Sequence, residues 1–126
     1  MRLLLDTHVF LWWLANDPAL RSSVQEAVGA SEAEVYVSAV SVWEVAIKVG
    51  LGKLPPTPMP LAEAIDRCGF RELPIRARHC AATAELPRHH GDPFDRLLVA
   101  QAQAEDLVLV TDDRVLKRYP VTILPA

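Results

Sequence analysis

His89-His90-Gly91-Asp92-Pro93-Phe94-Asp95-Arg96-Leu97-Leu98-Val99-Ala100-Gln101-Ala102-Gln103-Ala104 is the stretch around which the rest of the chain is read. Asp92 stands where a helix N-cap belongs, Pro93 at the first helical position and Asp95 in the first turn. Leu97, Leu98, Gln101 and Ala102 carry the pattern on as strong helix formers. A helix opening this way holds Asp95 at the mouth of the fold rather than in its core. The chemistry then depends on which other acids reach that mouth.

Downstream, Leu107-Val108-Leu109-Val110 is an apolar run that ends at Thr111-Asp112-Asp113. At the other end of the chain, Arg2-Leu3-Leu4-Leu5 is a second such run, and it stops at Asp6-Thr7. Uninterrupted apolar strands of this length belong in the middle of a parallel sheet covered on both faces. A helix is expected over His8–Ala15, another opened by Asp17-Pro18 and running to about Gly29, and a β-branched strand over Glu34–Ala39. Residues 41–49 read as helix, ended by Gly50-Leu51-Gly52, with an extended proline-rich connection over 53–60. A short helix over 61–68, a strand over 70–73, a helix over 76–86, a short helix through Leu116 and a last strand over 121–124 complete the pattern. Strands alternating with helices predict an α/β fold, a central and mainly parallel β-sheet flanked by helices, in one domain spanning 1–126. In such folds the site lies outside the carboxyl ends of the strands, which is where Asp6 and Asp113 fall.

The totals bound the function. The 126 residues are 51% hydrophobic and 23% charged, with a net charge of −3. No basic footprint marks a simple nucleic-acid-binding module. A nuclease stays open, because acids that hold a metal lower the net charge while the ion restores local positive charge. No apolar run is long enough to span a membrane, and Asp6 comes too early for a signal peptide, so a cytoplasmic location is expected. Cys68 and Cys80 lack metal-site spacing and are expected as buried free thiols on helices.

Four acids stand out: Asp6 and Asp113 after central strands, Glu44 and Asp95 in the opening turns of helices. Clustered carboxylates repel unless a counter-charge joins them. A hard divalent cation suits them, Mg²⁺ or Mn²⁺, and would acidify a water and neutralise a phosphate. Each acid also has an ordinary reading. Glu44 closes a capping box with Ser41 and pairs with Lys48 at i,i+4; Asp95 complements the helix dipole; Asp112 and Asp113 cap the short helix that follows. Asp6 is harder to explain so, since an acid at the end of a buried strand is costly unless paired or liganded. Asp92 reads first as a cap. His90, with His89, is a loop histidine that either ligates or is simply hydrogen-bonded, and Arg96 either contacts a phosphate or pairs with a neighbouring acid. Trp12 and Trp13 are adjacent on one helix and cannot both point inward, so one marks an exposed apolar surface and a protein partner.

Taken together, Leu3-Leu4-Leu5-Asp6-Thr7-His8, Ser38-Ala39-Val40-Ser41-Val42-Trp43-Glu44, His90-Gly91-Asp92-Pro93-Phe94-Asp95-Arg96-Leu97-Leu98 and Leu109-Val110-Thr111-Asp112-Asp113 resemble the PIN domain, in particular the VapC toxins of type II toxin–antitoxin systems. The resemblance runs the length of the chain in the right order. It implies a PIN-like sandwich and a Mg²⁺- or Mn²⁺-dependent endoribonuclease. By position it assigns metal ligation and catalysis to Asp6, Glu44, Asp95 and Asp113, and an accompanying hydroxyl role to Thr111. Asp92 and His90 match an extended motif of one subgroup. The resemblance further implies an RNA substrate, a VapB-type antitoxin and a homodimer. The Trp12/Trp13 helix and the apolar face of Val42, Val45, Ala46 and Val49 are the expected groove for the antitoxin segment.

Two other readings compete. A phosphoacceptor receiver-type signalling domain has the same size and class, but it needs paired acids after the first strand, where Thr7 follows Asp6. It also needs a lysine after a late strand, and Lys117 follows none. A PIN-like domain that binds RNA or a partner without cleaving is the other; the intact acidic set speaks against it.

Overall fold

The computed structural model describes residues 1–126. Five strands, β1 (Arg2–Leu5), β2 (Glu34–Ser38), β3 (Arg71–Leu73), β4 (Val108–Thr111) and β5 (Ile123–Pro125), form one sheet in the order β3-β2-β1-β4-β5. Every neighbouring pair is parallel, so the sheet is wholly and not only mainly parallel. Parallel strands need crossovers, which are supplied by α1 (Thr7–Ala15), α2 (Ser22–Gly29), α3 (Ala39–Gly50), α4 (Leu61–Arg67), α5 (Ala77–Ala82) and α6 (Pro93–Glu105). The apolar continuity of β1 follows from burial on both faces. Leu3 and Leu5 face one core with Phe10, Val24 and Ile65, while Leu4 faces another with Leu98, Leu109 and Tyr119. α3 touches both α1 and α6, and so closes the carboxyl edge of the sheet between them.

Local chemistry moves two boundaries from their expected places. α2 starts at Ser22, not at Asp17, because the Asp17 carboxylate accepts from Ala19 N at 2.8 Å and holds a turn, leaving Arg21 extended. α3 starts at Ala39, directly off β2, with Ser38 as its N-cap accepting from Val40 N. The capping box expected at Ser41 and Glu44 is therefore absent. Ser41 lies inside the helix, and Glu44 stands in its second turn. The cysteines also differ from expectation: Cys80 is exposed on α5 and Cys68 is half-buried at the end of α4. Both are free thiols, but neither is buried. No helix is long and apolar enough to cross a membrane.

Candidate active site

The carboxyl ends of β1 and β4 are adjacent, so Asp6 and Thr111-Asp112-Asp113 leave the sheet side by side. α3 brings in Glu44 and Lys48, and the N-terminus of α6 brings Asp92 and Asp95. Together with Thr7, His8 and Trp12 these residues line a cavity of about 370 Å³. All four acids singled out in the sequence reach it, as does Asp92. Asp112, expected only as a cap of the following short helix, reaches it too.

Every carboxylate of the cavity except that of Asp112 is held by a nameable partner. Asp6 is 7% exposed; its Oδ1 caps α1 by accepting from Val9 N at 2.8 Å, and its Oδ2 accepts from Thr111 Oγ1. Thr111 Oγ1 in turn accepts from Asp113 N at 3.0 Å, which ties both strand ends together. Burial pushes the Asp6 carboxyl up, against the pull of the Thr111 and Val9 bonds. Glu44 is 4% exposed: Oε1 accepts from Thr7 Oγ1 at 2.7 Å and Oε2 from Lys48 Nζ at 2.5 Å. Thr7 Oγ1 also lies 2.9 Å from Ser41 Oγ. The Lys48 ammonium is pushed above its ordinary value, first by the bond to Glu44. Asp92 Oδ1 accepts from Phe94 N at 2.9 Å and Asp95 N at 3.1 Å, the cap expected of it. Asp95 Oδ2 lies 3.2 Å from His90 Nε2. Its carboxyl rises from 3.8 to about 6, mainly through burial and then through the neighbouring Asp92 charge, with His90 opposing. Asp113 is exposed and caps the next turn through Val115 N.

Six carboxylates share this cavity with one lysine. That excess of negative charge, and the raised carboxyls it helps to produce, fit a hard divalent cation. As they stand, no three acid, histidine or cysteine groups close around one point. An ion that keeps several of its own waters does not require such a cage.

The remaining expected residues divide. His90 is hydrogen-bonded through both ring nitrogens, to Asp95 and to Tyr119. Arg96 pairs with no acid: it donates to the carbonyls of Pro87 and Thr83, each at 2.9 Å, and to Tyr119 Oη at 3.2 Å. The loop before α6 leaves the Pro87 carbonyl without a strand or helix partner, and the guanidinium satisfies it, while Thr83 O accepts in addition from Leu86 N at 3.3 Å. Trp12 and Trp13 are both half-buried, with Trp13 packed on Phe70 at 5.8 Å; the exposed tryptophan is Trp43, edge-on to Phe94 at 5.2 Å. Trp12 and Trp13 line a separate small cleft with Asn16 and Leu20. The apolar groove of Val45 and Val49 is completed instead by Leu11 and Leu14 of α1 and by Met59 of the proline-rich connection. Sequence reasoning missed Lys48 and Thr7 as site residues, although Lys48 sits one helical turn from Glu44. Tyr119 carries no local signal at all.

The sequence model of the PIN domain matches residues 3–121. Ribonuclease VapC22 of Mycobacterium tuberculosis is 31% identical over 127 residues, covering 95% of this chain and 96% of that protein. Among solved structures, VapBC2 from Rickettsia felis bound to a DNA fragment from their promoter superposes with a TM-score of 0.73 at 16% identity, covering 100% of this chain and 99% of that one. DNA-bound VapBC from Salmonella typhimurium does so with a TM-score of 0.73 at 22% identity, covering 99% and 98%. At these identities the two structures speak for the fold alone.

Proposed function

The chain belongs to the PIN-domain family, and on that premise we propose that it is a metal-dependent endoribonuclease, one PIN-like domain over 1–126, acting as the toxin of a VapBC-type pair. The observation that carries this reading is the meeting of Asp6, Glu44, Asp95 and Asp113 in one cavity at the carboxyl edge of a parallel sheet, with a single lysine among them. These four would hold Mg²⁺ or Mn²⁺. Bound there, the ion supplies an acidified water for phosphodiester hydrolysis and neutralises charge on the phosphate.

The chain's own residues do the rest. Thr111 donates to Asp6 and accepts from Asp113 N, so one hydroxyl holds the relative positions of two strand-end acids. Thr7 donates to Glu44, the one acid it holds. The excess of carboxylates keeps a bare phosphodiester out, so the cavity admits RNA only when the negative charge is met by a cation. Lys48 is the lining residue with a fixed positive charge; it holds Glu44 and would meet the charge of a phosphate entering the cavity.

The groove beside α3 is proposed as the antitoxin seat. A cavity of about 350 Å³ lined by Leu11, Leu14, Val45, Leu54 and Met59 adjoins a cleft of about 510 Å³ lined by Val42, Ala46 and Val49. An amphipathic segment laid there would bury its apolar anchors close to the acids. The partner is proposed by analogy with the VapBC complexes that share this fold. Self-association as a homodimer is part of the same proposal.

The test is RNA cleavage by purified protein in Mg²⁺, Mn²⁺ or EDTA, with Asp6→Asn beside the wild type. Cleavage that needs the metal and is lost in the variant is expected. Cleavage that survives the substitution, or proceeds in EDTA, would place the activity elsewhere.

A further inference from the structure

Asp95 is reached by a chain of hydrogen bonds whose direction is fixed at its far end. Arg96 Nη1 lies 3.2 Å from Tyr119 Oη, Tyr119 Oη 2.8 Å from His90 Nδ1, and His90 Nε2 3.2 Å from Asp95 Oδ2. A guanidinium only donates, so Tyr119 Oη accepts from it. Tyr119 is 3% exposed, and no buried side-chain polar atom lacks a partner. Its single hydroxyl proton therefore goes to His90 Nδ1, since the alternative leaves a buried O–H with nothing to bind. With Nδ1 accepting, the neutral ring carries its proton on Nε2, and that N–H points at the Asp95 carboxylate.

We propose that Tyr119, oriented by Arg96, is a positioning residue that fixes His90 as its Nε2–H tautomer and so aims a donor at Asp95. The role of this contact in metal binding rests on the reading of Asp95 given above; the tautomer does not. Arg96 is itself anchored by the carbonyls of Pro87, Thr83 and Leu86, so the chain runs from the backbone of the loop into the cavity. One oxygen of Asp95 is held by His90, and the other is left for a ligand. Partners of this kind, behind a metal-binding side chain, set its orientation and basicity.

Imidazole ¹⁵N NMR of the full chain without metal reads the tautomer directly. His79 serves as an internal reference: its Nδ1 accepts from Arg76 N at 2.9 Å, and its Nε2 faces Glu105 at 3.0 Å, so the same logic gives it an Nε2–H. His90→Gln identifies the His90 signals among the four histidines. The wild-type His90 pattern should match that of His79, and in Tyr119→Phe it should move toward the other tautomer while His79 stays unchanged. Mn²⁺ affinity should fall about tenfold in Tyr119→Phe and about 10–100-fold in His90→Ala. His90→Gln, which keeps an N–H donor, should stay within about threefold of wild type. A wild-type proton on Nδ1, or a tautomer indifferent to Tyr119→Phe, would overturn this inference alone. A wild-type protein that binds no Mn²⁺ would instead overturn the metal-site reading beneath it.

Discussion

Removing the charge of Asp95 should make the metal-free protein more stable. The Asp95 side chain is 19% exposed, and its carboxyl titrates at about 6 instead of 3.8, because burial and the neighbouring Asp92 disfavour the anion. At about 1.4 kcal/mol per unit of pKa, that difference represents roughly 3 kcal/mol. The sign follows from linkage. A raised folded value means that the folded state binds the proton more tightly, so the penalty is complete above about pH 6 and is relieved as pH falls toward 4. Asp95→Asn removes it while keeping size and an oxygen for His90 Nε2. The variant gives up the helix-dipole contact of a first-turn acid, about 0.3–1 kcal/mol. About 2 kcal/mol of net stabilisation should remain at neutral pH, or roughly 8 °C in Tm for a chain of this size. The assay is thermal unfolding in EDTA between pH 4 and 8, wild type beside variant. The gap should be widest at neutral pH and should close near pH 4. Saturating Mg²⁺ should narrow it from the other side, by raising the wild type more than the variant. A variant that melts at or below the wild type at neutral pH in EDTA would refute the reasoning.

Lys48→Met should act in the opposite direction. It leaves the Glu44 carboxylate buried without its cation, and because Lys48 is 32% exposed the cost in urea denaturation should be about 1–3 kcal/mol in EDTA, shrinking when Mg²⁺ is added. Thr111→Val removes the donor to Asp6 and the acceptor for Asp113 N, and should cost about 2 kcal/mol and depress cleavage; Thr111→Ser should retain most of both, measured by calorimetry and RNA cleavage side by side. Val49→Asp places a charge in the apolar groove, and should weaken capture of the cognate antitoxin segment by at least about tenfold in a titration.

The parts of this molecule that local chemistry determines were legible in the sequence. The Asp92-Pro93 start of α6 is fixed by a cap and a proline, the two central strands by continuous apolar runs, and the position of Asp6 and Asp113 by where those runs stop. Boundaries failed where a side chain had two local uses. Asp17 was free to cap a helix or hold a turn and took the turn, and Ser38 capped α3 because β2 runs into it without a loop. Roles that depend on distant packing were not legible. Arg96 is committed to loop carbonyls and to Tyr119, 23 residues away, and no periodicity encodes that. Trp12 and Trp13, of which one was expected in solvent, both pack half-buried against the same core. Yet Trp43, exposed beside Glu44, is the aromatic left in solvent, because α3 has two helices to pack against and cannot present all its faces to them. Lys48 could have been found by asking what else lies on the Glu44 face of α3.

The most direct test of the central claim is an anomalous difference map from a crystal of the protein grown or soaked in Mn²⁺. The acidic cavity should hold a peak within about 2.5 Å of carboxylate oxygens of Asp6 and of at least one of Asp95, Asp113 and Glu44. A cavity without such a peak at saturating Mn²⁺, or a peak held by other residues, would contradict the account.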